Sequence, residues 1–151
     1  MTLMRLAYVC ALTLALGYAA PALAQQKKDH AHGEESHFKV TPPADVKAAW
    51  TLIAAKVGEV EKSLASKQLD PIHEMGEHIE AAVHVLEEKS TMVTGDKKNR
   101  LGSALKQLDK AVDDFHHAAE DKDAAKIGLH LNKIKGLLPL IQSQYPPGAL
   151  N

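Results

Sequence analysis

The chain has 151 residues with 18 basic and 19 acidic side chains, nine histidines, one cysteine and a formal charge of −1. So even a balance leaves no basic footprint for nucleic acid, and a lone cysteine excludes an internal disulfide framework. The length suits one domain with a single core.

Residues 1–24 read as a signal peptide cleaved after Ala24. Arg5 supplies the positive start, Leu6 to Ala20 form the apolar stretch, and Ala22-Leu23-Ala24 puts small residues at the cleavage positions. The apolar run is short for a membrane span of about 20 residues, so no stable span is expected after cleavage. The cut removes Cys10 and leaves all nine histidines in an exported, periplasmic chain with no thiol. Catalytic cysteine chemistry is thereby excluded, and imidazole becomes the chief transition-metal ligand on offer. With Arg5 gone, 17 basic side chains face 19 acidic ones, a formal charge of −2.

Residues 25–43 are polar, with Lys27, Lys28, Asp29, Glu34 and Glu35 among the histidines His30, His32 and His37. Such a stretch buries too little apolar surface to offset its ordering entropy, so it reads as a flexible tail. Several imidazoles on a flexible segment suit transient capture of metal ions. Cleavage after Ala24 places Lys27 at the third position, so no amino-terminal copper clamp is expected. Pro42-Pro43 marks the boundary to a helical domain over residues 44–146, with 147–151 as a C-terminal tail.

Within that domain Val46, Ala49, Trp50, Ile53, Val57, Val60 and Leu64 recur at steps of three and four, predicting a first helix from Ala44 to Ser66. Asp70-Pro71 is an N-cap and first-turn signature for a second helix. Ile72, Met75, Ile79, Val83 and Leu86 form its stripe, and it ends near Lys89. Leu101, Leu105, Leu108, Val112, Phe115 and Ala119 define a third helix over Asp96 to Glu120. Asp121-Lys122-Asp123 then turns the chain into a fourth helix striped by Ile127, Leu131, Ile134, Leu138 and Ile141. Pro139, which lacks an N–H, predicts a kink or an early end there. The glycines at 58, 76, 102, 128 and 136 fall inside these helices, at about 1 kcal/mol each against alanine, and are explained either by close helix approach or by indifference. No segment alternates as a strand. Four amphipathic helices with short connections predict an all-α, up-down-up-down antiparallel four-helix bundle.

At about 100° per residue, His73, Glu77, Glu80 and His84 share one sector of the second helix, away from the Ile72–Ile79 stripe. Two imidazoles and two carboxylates could hold Zn²⁺; a solvated polar face is the default alternative. His116 flanks the core stripe of the third helix, His117 points outward, and His130 flanks the fourth. Antiparallel packing puts His73, His116 and His130 level, at the end holding the 1–2 and 3–4 turns. Met75 near them adds a possible sulfur ligand that would suit copper. Level side chains converge only if each also rotates inward, so ordinary boundary histidines remain the alternative. The expected metal ligands are therefore His73, Met75, His116 and His130 in the bundle, with His30, His32 and His37 in the tail.

There is no Cys-x-x-Cys-His for covalent haem, no paired Glu-x-x-His for a di-iron bundle, no nucleophile elbow and no phosphate loop. A b-type haem between Met75 and His116 or His130 is a third reading, weakened by few aromatics and no basic cluster for the propionates.

Leu69-Asp70-Pro71-Ile72-His73, continuing through Ile79, Val83, Leu86 and Lys89-Ser90, resembles a group of small exported proteobacterial helical proteins. These carry a leader, a His-rich amino-terminal stretch and a first-helix tryptophan, matched here by the tail and Trp50. The resemblance covers the first two helices, and the last two by pattern only. Some members are associated with heavy-metal efflux, which implies a metal-efflux or other envelope protein as partner. The chain departs from the group at Met75, where a second histidine of a His-x-His pair would stand.

The expected function is periplasmic binding or buffering of copper or zinc ions without catalysis, by a monomer or weak dimer. An envelope adaptor whose histidines are solvated surface groups is the alternative.

Overall fold

Asp45 starts the first helix: its extended backbone and its side-chain oxygen, which accepts from the Ala48 N–H at 2.8 Å, satisfy one of the free donors of the opening turn. In the computed structural model, which describes residues 38–151, four helices follow in order and no strand occurs among the described residues. They are α1 (Val46–Ala65), α2 (Ile72–Lys89), α3 (Gly95–Glu120) and α4 (Ala124–Gln142). The signal peptide assigned to 1–24 and the tail histidines His30, His32 and His37 lie outside the described residues.

Consecutive helices pack over their apolar stripes, while α1 meets α4 only along a narrow seam where Lys135 pairs with Glu61. The alternating direction follows from which ends meet. Lys89, closing α2, donates to the Ala44 carbonyl just before α1 at 2.8 Å. Lys122, in the 3–4 turn, reaches Asp70 of the 1–2 turn at 2.5 Å. Ser90, after α2, meets the Tyr145 hydroxyl beyond α4. The all-α bundle expected from the stripes is the observed fold.

Phe115, Ile53, Ile72, Ile79, Leu86, Leu108, Ile127 and Ile134 are all fully buried, so each helix contributes to one continuous core. Each large side chain buried contributes about 1.5–3 kcal/mol, and none of these residues can ligate a metal, so the bundle is expected to fold without an ion. Among the described residues, no helix is long and apolar enough to cross a membrane.

Three local expectations are corrected. Asp70 does not cap α2, which begins after Pro71 with no side-chain cap; the Asp70 carboxylate instead binds Lys122, which holds it below the usual carboxylate range. The capping aspartate nearby is Asp123, which accepts from the N–H groups of Ala125 and Lys126. Helix α4 does not end early at Pro139 but continues to Gln142. Residues 147–151 do not trail away: Gly148, with φ +81°, turns the chain so that Ala149 and Leu150 pack onto the core.

Of the helical glycines, only Gly76 lies at a close approach. A Cβ there would stand 3.3 Å from the Phe115 ring and 3.9 Å from the His116 Cα, whereas Gly58, Gly102, Gly128 and Gly136 face open space. Since Phe115 is fully buried and cannot step aside freely, Gly76→Ala should destabilise by about 1 kcal/mol after its helix-propensity gain is subtracted from an overpacking cost of roughly 1–3 kcal/mol. Gly58→Ala and Gly102→Ala should each stabilise by about 0.5–1 kcal/mol. Urea midpoints of the three variants check this; an equal rise in all three would remove the reason given for Gly76.

Candidate metal centre

The close α2–α3 approach at Gly76 brings two matching turns face to face. His73 and Glu77 lie one turn apart on α2, and His116 and Glu120 one turn apart on α3, so all four project into the seam. Because the helices run in opposite directions, His73 meets Glu120 and Glu77 meets His116, each pair with Nε2 to Oε1 at 3.6 Å. The two histidines meet across the middle, with Nε2 atoms 2.5 Å apart and rings stacked at 4.5 Å between centroids.

Facing nitrogens share either a proton, one ring donating its Nε2–H to the lone pair of the other, or a metal ion that both lone pairs could hold. His73, Glu77 and His116 each offer a ligand atom, and these atoms all lie within 4.8 Å of one another. The setting is shielded: Glu77 is 6% exposed and the His116 side chain 8%, with His73 at 18%. Phe38 closes one side by setting its ring edge-on to His73 at 5.3 Å. Phe38, within the tail assigned to 25–43, thus contacts the bundle.

Further carboxylates and imidazoles surround this group. Glu80 Oε2 lies 4.0 Å from His116 Nδ1, on the ring edge away from His73. His117, half exposed, is 3.3 Å from Glu120 Oε2. Burial opposes ionisation of Glu120, but the His117 hydrogen bond and the nearby His116 and His73 outweigh it, leaving the carboxyl below its usual range. His84 pairs with Asp109 at 3.8 Å farther along the same seam.

The solvated-face reading of His73, Glu77, Glu80 and His84 is thus corrected. That sector of α2 packs against α3, with Glu77 buried and His73, Glu80 and His84 half-buried.

His73 and His116 are brought together, whereas His130 and Met75 are not part of the group. Helix α3 lies between α2 and α4, so it has two flanks. His116 and Asp114 are two residues apart and roughly 200° round the helix, and His130 faces Asp114, with Nδ1 to Oδ2 at 3.8 Å. Being level with His116 left His130 on the other side of α3. Met75 is two residues from both His73 and Glu77, hence on the opposite flank of α2, packed against the core. The same two displacements separate the axial pairs considered for a b-type haem.

Glu77, weighed with His73, Glu80 and His84 on one face of the second helix but left out of the expected ligand set, belongs to the group, and Glu120 beside it is the residue that the one-helix-at-a-time reading missed. The signal was present: His-x-x-x-Glu occurs at 73–77 and again at 116–120, and antiparallel neighbours present such pairs to each other in reverse order. No protein-family model matches the chain, and no curated protein or solved structure matches it.

His130 has a separate consequence. Burial, with Lys133 adding repulsion and Asp114 partly opposing it, lowers its pKa below the usual imidazole range, and its Nδ1 is buried without a hydrogen-bond partner. A lowered folded pKa means that the unfolded chain takes the proton first, so the stability from neutral His130 is complete above about pH 6.5 and declines as pH falls below it. One proton limits the loss to about 1.4 kcal/mol per pH unit. His130→Gln should flatten the fall in urea midpoint between pH 7.5 and 5.5; an unchanged slope would show that His130 contributes nothing to acid sensitivity.

Proposed function

We propose that this protein binds a transition-metal ion in the α2–α3 seam and acts as an exported metal-binding or metal-buffering protein without catalysis. The observation that carries the reading is the meeting of two imidazole nitrogens beside a buried carboxylate, at His73, His116 and Glu77. A buried acid is costly unless a cation accompanies it, and these donor types are those that hold Zn²⁺ or Cu²⁺.

Three sequence features support export and metal handling: the cleavable leader, the histidines that follow it, and the resemblance to exported proteins associated with heavy-metal efflux. In this reading the tail captures ions loosely and the bundle holds one more tightly. An efflux or other envelope component is the corresponding partner. A solvated-histidine adaptor is disfavoured by the burial of Glu77 and His116.

Metal analysis of the processed protein purified from the cell envelope tests the proposal. About one zinc or copper ion per chain, retained through gel filtration and lost in His73→Ala, is the expected result. A metal-free protein that takes up neither ion on titration would overturn it.

A further inference from the structure

We infer that Glu120 is a fourth ligand and that the centre is a four-coordinate site, two imidazoles and two carboxylates, for a borderline divalent ion of the Zn²⁺ class. This rests on the reading of His73, Glu77 and His116 as a metal site.

The first argument is symmetry of position. A point beside the two facing Nε2 atoms is flanked by Glu77 Oε1, 3.6 Å from His116, and by Glu120 Oε1, 3.6 Å from His73. The antiparallel His-x-x-x-Glu turns thus supply a carboxylate on each side: Glu77 within the close group of ligand atoms, and Glu120 outside it, one-third exposed and joined by an inward swing of its side chain. Zinc bonds of about 2.0–2.2 Å to nitrogen and oxygen also require that the two imidazoles part by roughly an ångström, a small rotation for side chains on one seam.

The second argument is charge. Two neutral imidazoles with one carboxylate would leave a divalent ion with a net positive charge among side chains that are largely buried. A second carboxylate brings the centre to neutrality, which is the cheaper state away from water.

The third is orientation. Glu80 Oε2 stands 4.0 Å behind His116 Nδ1, beyond hydrogen-bond distance but on the side from which a small approach would form the carboxylate–histidine bond that fixes a ligand ring and aims its other nitrogen at a metal. His117 stands behind Glu120 at Oε2, leaving Oε1 toward the centre. Each α3 ligand therefore has a partner on its outer side.

The donor set selects the ion. No thiolate is present among the described residues, and the Met75 thioether lies on the opposite flank of α2, which disfavours Cu⁺. Two carboxylates are too few oxygens for Ca²⁺, and imidazoles suit neither Ca²⁺ nor Mg²⁺.

Cobalt(II) is the probe, because a four-coordinate ion shows strong visible d–d bands and a six-coordinate ion weak ones. The full processed chain should bind one Co²⁺ with strong bands, and Zn²⁺, but not Mg²⁺, Ca²⁺ or Cu⁺, should bleach them at equal concentration. Glu120→Gln, a near-isosteric change at a one-third-exposed side chain, should keep the helical circular dichroism, lose at least tenfold in Co²⁺ affinity and weaken or shift the bands. Glu80→Gln should lower affinity by about 10–100-fold with the band pattern retained. Unaltered affinity and bands in Glu120→Gln would overturn the fourth ligand while leaving the three-residue site standing. Bleaching by Cu⁺ and not by Zn²⁺ would overturn the metal class. Failure of the unaltered chain to bind Co²⁺ or Zn²⁺ at all would remove the underlying metal-site reading as well.

Discussion

Replacing His116 by alanine should weaken Zn²⁺ binding by more than the roughly 10–100-fold typical of an outer-shell change, and should do so without unfolding the bundle. His116 supplies one of the two facing nitrogens and is the most buried imidazole in the seam. Its loss also removes one of the two imidazoles that stand beside the buried Glu77 carboxylate. The core continues past the site in both directions, from Ile72 at one end of α2 to Leu86 at the other, and does not depend on the imidazole. Helical circular dichroism should therefore survive in the variant and in chelator-treated protein alike.

Thermal denaturation reads the same loss by linkage. Free Zn²⁺ at about 100 times the dissociation constant adds roughly 2.7 kcal/mol to the folded state, which in a domain of this size raises the midpoint by about 10 °C. That rise should vanish in His116→Ala and persist in His84→Ala, because His84 pairs with Asp109 away from the facing nitrogens. Equal small effects at both positions would reduce the bundle to a scaffold and leave the tail histidines as the metal binders.

The fold was legible because helix stripes are local: Ile53, Val57 and Val60 announce a buried face from three- and four-residue steps alone, and the structure buries all three. The neighbourhood of the centre was also legible, since antiparallel helices with short turns fix which residues are level. Which level residues converge was not. That depends on the rotational phase of α3 between two neighbours, and two residues along the helix, from Asp114 to His116, change the facing partner from α4 to α2. Phase also kept Glu77 out of the expected ligand set, because a carboxylate off the apolar stripe looks solvated until the adjoining helix is set against it. Gly76 shows the same limit: its sequence context resembles that of Gly58 or Gly102, and only the Phe115 ring across the seam distinguishes it.

That ring carries the other large effect. Phe115→Ala should destabilise the bundle by about 3–5 kcal/mol, the usual range for emptying a buried aromatic site, and this is a large part of the roughly 5–15 kcal/mol that a domain possesses. Phe115 is fully buried, stands against Gly76 and directly precedes His116. The cavity would therefore open where α2 and α3 pack closely at Gly76, and the proposed ligand turns on each side of it would lose their fixed separation. Metal affinity should fall with stability even though no ligand has been removed. Phe115→Leu, which refills most of the space, should recover much of both. Urea unfolding and Zn²⁺ titration of the two variants separate packing from coordination: if Phe115→Ala lowers stability but binds Zn²⁺ with unchanged affinity, the close approach at Gly76 does not set the geometry of the centre.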